Sequence, residues 1–200
     1  MARTAWQQAA EWLLRERGAS EIEHPGGTLL EHTKRVGELL RTWGADEDLQ
    51  AAGFCHACYG TDGFAIGMLA LTERHVLAET IGPKAEAIVY LYASCDRQAV
   101  YPRLSPSSPV LFTDRFTGVT RHLPADGAKA WLELTAANEL DLVLANPEAA
   151  SLWALEFYRL LCAGRRWLSD TALAAWAQTL SSLPLETTEN GGRGWASEHR

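Results

Sequence analysis

Apolar residues recur at helical spacing through almost the whole chain, and this periodicity limits the fold more than any other feature of the sequence. The first segment carries the pattern at Trp6, Ala9, Ala10, Leu13 and Leu14. Thr28 and Glu31 have the spacing of a capping box at the start of a second helix, and Asp46 can cap a third. The sequence therefore predicts an all-α fold.

Further helices are predicted along the chain. Thr72 is expected to cap a short helix that stops at Gly82, and Pro83 is expected to open another that runs to about Asp96. Later helices are predicted over 126–145, from 146 to 164, and from about 169 onward.

The helical pattern is interrupted between about residues 100 and 124. The prolines within 101–109 exclude a helix interior, and residues 110–123 are β-branched and aromatic around Gly118, which fits a β-hairpin. We interpret this stretch as an excursion from a single helical domain over 1–185. Residues 186–200 lack periodicity and are expected to be disordered.

The composition suits one globular, cytoplasmic domain. The chain has 200 residues, 47% of them apolar, which is enough for a sizeable core. A net charge of −7 argues against nucleic-acid and anionic-membrane partners, because these need clustered Lys and Arg. No apolar run approaches the roughly 18 residues of a membrane span, and the first residues lack a signal core. In a reducing compartment Cys55 and Cys58, despite their C-x-x-C spacing, are expected to pack as free thiols rather than to form a redox pair or half a zinc site.

Two histidines lie on the predicted core-facing stripes of successive helices. His32 shares a face with Val36 and Trp43. His56 shares a face with Leu49. A buried imidazole needs a polar partner, so each could be a core histidine bonded to a carbonyl. Their occurrence on consecutive helices favours a shared metal or ligand.

The residues around these histidines resemble the HD-domain superfamily, helical proteins that hold a metal among side chains of several helices. His32-Thr-Lys-Arg-Val-Gly-Glu-Leu-Leu40 is similar to the family's first element, and Ala51-Ala-Gly-Phe-Cys-His56 is similar to the run that ends in its His-Asp pair. Residues 43–52 and 81–91 resemble the branch that hydrolyses alarmone nucleotides. The resemblance covers about 24–96, with a weaker echo at 130–145. It implies an HD-like helical bundle with a metal at His32 and His56.

The carboxylates of that family's metal shell are replaced in this chain. Ala57 follows His56 where the family has Asp, and Asn138 stands where the final Asp belongs. Tyr59-Gly-Thr-Asp62 occupies the position of the acidic pair of the alarmone hydrolases. An intact phosphohydrolase site therefore does not carry over. Two histidines with one further ligand would suit iron, manganese or zinc.

Several residues could complete such a site. His24 and Asn138 are candidate metal ligands beside His32 and His56, although a lone loop histidine is commonly a surface residue. The candidate catalytic carboxylates are Asp96 and Glu139, and Asp141 is a further carboxylate near Asn138 that could complete the site. Asp96 could equally be a cap at the C-terminal end of its helix or pair with Arg97. The candidate substrate contacts are Tyr59, Thr61, Arg97 and Arg115.

Three functions fit these residues. The first is a metal-dependent enzyme on a small, phosphorylated or otherwise anionic metabolite, acting as a hydrolase or as a non-haem iron oxygenase. The second is a small-molecule binding protein that has lost its metal site. The third is a structural module in which both histidines only pack. A homo-oligomer is compatible with all three, with the hairpin edge as a contact surface.

Overall fold

The structure, a computed structural model, describes residues 4–150 and 153–183. This part of the chain is mostly helical with two small antiparallel hairpins, which confirms the predicted fold class at the level of secondary structure. The helices are α1 (Ala5–Glu16), α2 (Leu29–Thr42), α3 (Glu47–Cys55), α4 (Arg74–Ile81), α5 (Pro83–Ala93), α6 (Arg97–Val100), α7 (Ala125–Ala145), α8 (Pro147–Ala150), α9 (Ala154–Ala163) and α10 (Asp170–Ser182). No helix within the described ranges is long and apolar enough to cross a bilayer.

The helix starts follow the capping residues of the sequence in most cases. The predicted capping box of α2 is present: the Thr28 hydroxyl accepts from the Glu31 N–H, and the Glu31 carboxylate accepts from the Thr28 N–H. Asp46 caps α3 as predicted. The prediction for Thr72 was wrong, because this residue lies inside a 3₁₀ turn, Leu71–Glu73, that precedes α4.

Two predicted boundaries differ from the structure, and a third lies outside the described residues. The helix α5 ends at Ala93, because Asp96 begins the separate helix α6 by accepting from the Ala99 N–H. The helix predicted over 146–164 appears as α8 and α9, and residues 151–152 between them lie outside the described part. The predicted disordered tail, 186–200, also lies outside the described residues.

One of the two hairpins was predicted from the sequence, and the other was not. Strands β3 (Leu111–Thr113) and β4 (Thr120–His122) pair within the predicted excursion. Strands β1 (Glu23–His24) and β2 (Gly27–Thr28) form a second hairpin that was not predicted. Its turn is the dipeptide Pro25-Gly26, in which Gly26 has a φ of 78°. This turn brings His24 back over the start of α2.

The long helix α7 lies at the centre of the fold. Its apolar side chains are buried on several faces, including Trp131, Leu134 and Leu140, and it packs against α2, α3 and α5. The helices α2 and α3 approach closely where Gly53 faces Leu40, since a Cβ at Gly53 would collide with that side chain. This contact brings the histidines of the two helices into one buried layer.

Candidate functional site

His32, His56 and Asn138 meet at one buried point between α2, α7 and the end of α3. The Nε2 atom of His32 lies 3.2 Å from Nε2 of His56 and 3.0 Å from Oδ1 of Asn138. All three side chains are almost inaccessible to solvent. The convergence that the sequence predicted for the two histidines is therefore present, and Asn138 joins them.

A carboxylate fixes the orientation of His32. Asp141 accepts from Nδ1 of His32 at 2.7 Å, and Arg35 donates to both oxygens of Asp141 at 2.7 and 3.0 Å. Burial raises the pKa of Asp141, but the hydrogen bonds from His32 and Arg35 outweigh it and hold this pKa below its ordinary value. Because the ionised carboxylate can only accept, the Nδ1 of His32 carries a proton. When the ring is neutral, its Nε2 presents a lone pair to the site.

His56 is oriented in the same way by the backbone. Its Nδ1 lies 2.7 Å from the carbonyl oxygen of Gly53, which can only accept, so Nδ1 donates. Burial, followed by the charge of nearby His32, lowers the pKa of His56 to about 3. His56 is consequently neutral at physiological pH, and its Nε2 also presents a lone pair.

The amide of Asn138 is oriented by Glu139. Its Nδ2 donates to Oε1 of Glu139 at 3.2 Å, which turns Oδ1 toward the imidazole of His32. Nε2 of His56 and Oδ1 of Asn138 thus direct lone pairs toward Nε2 of His32 from 3.2 and 3.0 Å. With a neutral His32 ring, the lone pair of its own Nε2 is the third. Such groups repel one another unless a cation or a proton lies among them. One proton on His32 forms a good hydrogen bond with only one of the two neighbours, whereas a metal ion satisfies all three.

The spacing and the outer partners both fit a metal. Ligands about 2.1 Å from a tetrahedral or octahedral ion are roughly 3.0–3.4 Å apart, which matches the two distances at His32 Nε2. Metal-bound histidines usually donate their other N–H to a carboxylate or a carbonyl, as His32 and His56 do here. Among residues 4–150 and 153–183, no group of three or more His, Cys, Asp and Glu side chains is arranged to hold a metal. The third donor would therefore be the Asn138 amide.

A small cavity adjoins these donors. It measures about 40 Å³, which holds a few water molecules or one small chemical group. His24, Phe64, Thr61 and Glu139 are among its lining residues. Two atoms of these residues, Nδ1 of His24 and Oε2 of Glu139, are buried without a hydrogen-bond partner in the described structure. Unsatisfied buried groups are uncommon, and Oε2 of Glu139 is one in the lining of this cavity, whereas the ring of His24 has the backbone of Pro25 as a hydrogen-bonding neighbour.

His24 forms the wall of the cavity opposite α7. Its ring stacks on His32 with centroids 4.0 Å apart, and Phe64 packs edge-on against it at 5.5 Å. Burial, with a smaller contribution from the charge of His32, lowers the pKa of His24 to about 4. His24 lies beside the predicted metal ligands as a neutral imidazole, but no hydrogen bond joins it to them.

Arg97 supplies a buried positive charge to the same cavity. Its Nη1 donates to Glu139 at 3.2 Å, its Nη2 donates to the hydroxyl of Tyr92 at 3.2 Å, and its backbone N–H donates to Asp62. Gly63 packs closely against the guanidinium, and a Cβ there would lie 3.1 Å from Nη1. The guanidinium is thus held in one orientation at the cavity wall, where it can bind an oxyanion.

Three of the sequence candidates lie outside the lining of this cavity. Asp96 caps α6, Tyr59 donates to Glu86, and Arg115 donates to the carbonyl of Ala93. Seven of the sequence candidates line it: His24, His32, His56, Thr61, Arg97, Asn138 and Glu139.

Arg35, which pairs with Asp141, was not singled out by the sequence analysis. Asp141 follows Asn138 by three residues and Arg35 follows His32 by three, which places each on the same helical face as its neighbour. Only that double spacing could have pointed to the pair before the packing of α2 on α7 was known.

Comparison with known proteins gives one family. Residues 13–97 match the model of a domain of unknown function, DUF6817. No curated protein and no solved structure gives a match.

Proposed function

We propose that this chain is a metal-dependent hydrolase of a small anionic metabolite. The observation that carries the proposal is the convergence of lone pairs from His32, His56 and Asn138, each with its orientation fixed by an outer partner. A divalent transition metal such as iron, manganese or zinc matches two imidazoles and an amide oxygen. When bound, such a metal lowers the pKa of a water and polarises an oxygen of the substrate.

The surrounding residues have the properties that such a reaction requires. Glu139 is fully buried, and one of its carboxylate oxygens has no partner in the described structure, so it can accept the proton of the attacking water. Arg97 binds the negative charge of the substrate through its fixed guanidinium. Thr61 adds a hydroxyl at the cavity wall.

The size of the cavity limits the group that reacts. A volume of about 40 Å³ accommodates a carboxylate or another group of a few atoms but not a nucleotide. The rest of a larger substrate must therefore lie outside this cavity, whose lining includes Thr61, Gly63 and Phe64. These residues close a short turn through the Thr61 and Phe64 backbones.

We also propose that the fold is a divergent HD domain. The alignment made from sequence predicted that His32, His56 and Asn138 stand at the positions of three metal ligands in that superfamily. Their spatial convergence supports that alignment. In this alignment Ala57 stands at the position of the aspartate that follows the second histidine, so this chain lacks that carboxylate.

A binding protein without a metal is the second candidate. The charges around the site balance without an added ion, since Arg35 pairs with Asp141 and Arg97 pairs with Glu139. In that case the cavity would hold a neutral or singly charged ligand.

Metal content separates the two candidates. The protein should be purified without a polyhistidine tag, and its iron, manganese and zinc measured by plasma mass spectrometry. We expect close to one metal per chain, with loss of most of it in His32→Ala and in His56→Ala. The exposed His122 on β4 provides a matched control, and His122→Ala should retain the metal. A wild-type protein that holds no metal and gains no thermal stability from added metal would refute the enzyme proposal.

The role of Glu139 requires a separate measurement. Glu139→Gln should keep the metal but lose at least a hundredfold of the hydrolytic rate on any phosphoester or carboxylic ester that the wild type turns over. Oxygen consumption by the iron-loaded protein, without hydrolysis, would contradict hydrolysis and indicate an oxygenase instead.

A further inference from the structure

One buried tyrosine contacts the candidate site from behind the cavity wall. Tyr92 lies near the end of α5, is 3% exposed, and does not line the cavity. Its hydroxyl accepts from Nη2 of Arg97 at 3.2 Å, and its ring packs edge-on against the imidazole of His56 with centroids 5.4 Å apart. Both of these partners line the cavity. Tyr92 can therefore act on a molecule in the cavity through them.

The hydroxyl of Tyr92 completes a two-point hold on the guanidinium of Arg97. Glu139 accepts from Nη1 at 3.2 Å and Tyr92 accepts from Nη2, so the two bonds lie at different terminal nitrogens. A guanidinium bonded at one nitrogen can pivot about that bond, whereas bonds at two nitrogens fix its plane. The backbone N–H of Arg97 also donates to Asp62 at 2.8 Å, which ties down the start of α6.

The position of the hydroxyl is itself set by the packing of the ring. The ring meets His56 at an interplanar angle of 86°, and Nδ1 of His56 is bonded to the carbonyl of Gly53. The tyrosine therefore abuts an imidazole whose own orientation is fixed. Tyr92→Phe keeps this ring contact and removes only the bond to Arg97, so it isolates the hydroxyl.

The hydroxyl holds Arg97 without adding a negative charge to the site. Burial raises the pKa of Tyr92, and the charge of Arg97 offsets this only in part, so the phenol stays neutral at physiological pH. The ion pairs of Arg97 with Glu139 and of Arg35 with Asp141 balance each other's charges. The metal of the proposed function would then leave the site positive, and an anion in the cavity would meet both the metal and an oriented guanidinium.

We propose that Tyr92 is a positioning residue for the anionic ligand, and that its hydroxyl fixes the plane of the Arg97 guanidinium. The identity of the ligand rests on the proposed function, whereas the hold on Arg97 can be measured without metal and without turnover. Because Tyr92 does not line the cavity, loss of its hydroxyl should reduce the preference for a charged ligand over a neutral one of the same shape.

Nitrogen-15 NMR of the purified full chain, treated with a chelator to remove paramagnetic ions, tests the hold on Arg97. The Nη–H protons of a guanidinium are resolved when the group rotates slowly and merge when it rotates fast. We expect resolved Nη–H signals of Arg97 in the wild type, assigned by their loss in Arg97→Lys, and merged signals in Tyr92→Phe. Tyr90→Phe is the matched control, since Tyr90 lies on the same helix and its hydroxyl donates to Asp114 at 2.9 Å, away from the cavity. Resolved signals in Tyr92→Phe would overturn the proposal.

Titrations with acetate and acetamide test the consequence for a ligand. The two probes have nearly the same shape and differ in charge, and each is added to the zinc-loaded protein. We expect the wild type to bind acetate about tenfold more tightly than acetamide. Tyr92→Phe should weaken acetate binding about threefold to tenfold and leave acetamide binding and zinc content unchanged. Equal weakening of both probes would indicate a general structural defect and refute the positioning role.

Steady-state kinetics provide a second measure of the same effect. On any anionic substrate that the wild type hydrolyses, Tyr92→Phe should raise KM by a similar factor and leave kcat within about twofold. A fall in kcat with KM unchanged would contradict a role in holding the charge of the substrate.

A double-mutant cycle shows whether Tyr92 acts through Arg97. In the Arg97→Lys background, Tyr92→Phe should cause no further loss of acetate affinity. Protein that holds no zinc but loses its resolved Nη–H signals in Tyr92→Phe would contradict the hydrolase and support the role of Tyr92. Protein that holds zinc but shows the full effect of Tyr92→Phe in both backgrounds would contradict the role of Tyr92 and leave the metal site supported.

Discussion

Replacing Arg35 by methionine removes the counter-charge of a buried carboxylate. Arg35 donates to both oxygens of Asp141, whose side chain is 3% exposed, whereas the Arg35 side chain is 36% exposed. Removing one partner of a fully buried ion pair costs about 3–5 kcal/mol. Because Arg35 reaches solvent, we expect Arg35→Met to lower the free energy of unfolding by about 2–3 kcal/mol.

The same helix offers a matched control. Arg41 also donates to both oxygens of a carboxylate, that of Glu38, but these side chains are 45% and 58% exposed. Exposed pairs contribute about 0–1 kcal/mol, so Arg41→Met should be almost neutral. The two variants share residue type, helix and a two-bond contact with a carboxylate. They differ in the burial of that carboxylate and in the hydrogen bonds that Arg35 also donates to the carbonyl oxygens of Pro25 and Gly26.

Urea unfolding measures the free energy of unfolding of both variants, and thermal unfolding measures their melting temperatures. In a domain of this size each kcal/mol shifts the melting temperature by about 2–4 °C, so we expect a decrease of about 5–10 °C for Arg35→Met and at most about 4 °C for Arg41→Met. Adding Asp141→Asn to Arg35→Met should recover part of the loss, because no charge then stays buried without a partner. Equal destabilisation by the two arginine variants would refute the argument that burial of Asp141 sets the size of the effect.

Three further results are expected. Asp141→Asn alone should reduce metal affinity about 10–100-fold in a metal titration, because His32 loses the carboxylate that orients it, and His122→Ala should leave that affinity unchanged. In the metal-free protein, the folded-state pKa of His56 is about 3 against an ordinary 6.5, so only the unfolded chain takes up a proton as the pH falls below 6.5. Burial lowers the pKa of His24 to about 4, so His24 adds a loss in the same direction, and urea unfolding should show a decrease in stability from pH 7 to pH 5 that is smaller by about 2 kcal/mol in His56→Gln than in the wild type. Gly53→Ala should cost about 1–3 kcal/mol by the same assay, since its Cβ would collide with Leu40, and a neutral result would contradict the close packing of α2 on α3.

Periodicity and caps were enough to predict most helices. The capping box at Thr28 and the cap at Asp46 fix local hydrogen bonds within three residues, and such local bonds can be read from spacing alone. Thr72 misled the prediction because it lies within a 3₁₀ turn, where Glu73 rather than the threonine bonds back to the backbone. The β1–β2 hairpin was missed although Pro25-Gly26 is a turn signal, because strands this short carry no alternating pattern.

The candidate site was only partly accessible to sequence reasoning. His32 and His56 were predicted to converge because each lay on a core-facing stripe, and a stripe can be recognised in a single helix. The distances to Asn138 and the position of Arg97 depend on how α7 and α6 pack, which no local pattern encodes. Asp96 illustrates the limit: its side chain caps a helix, a role that the same residue type fills at many helix starts.

The residues that the family model matches include only part of the candidate site. The matched residues 13–97 carry the imidazoles, Thr61 and the guanidinium of Arg97, whereas α7 carries Asn138, Glu139 and Asp141. The imidazoles and the amide and carboxylate groups of α7 are therefore encoded in separate parts of the gene. A single change on α7, such as Asn138→Asp, would alter the charge of the site and leave the recognisable segment intact. Proteins that share this segment can for that reason differ in chemistry, and the helix to compare among them is the one outside the match.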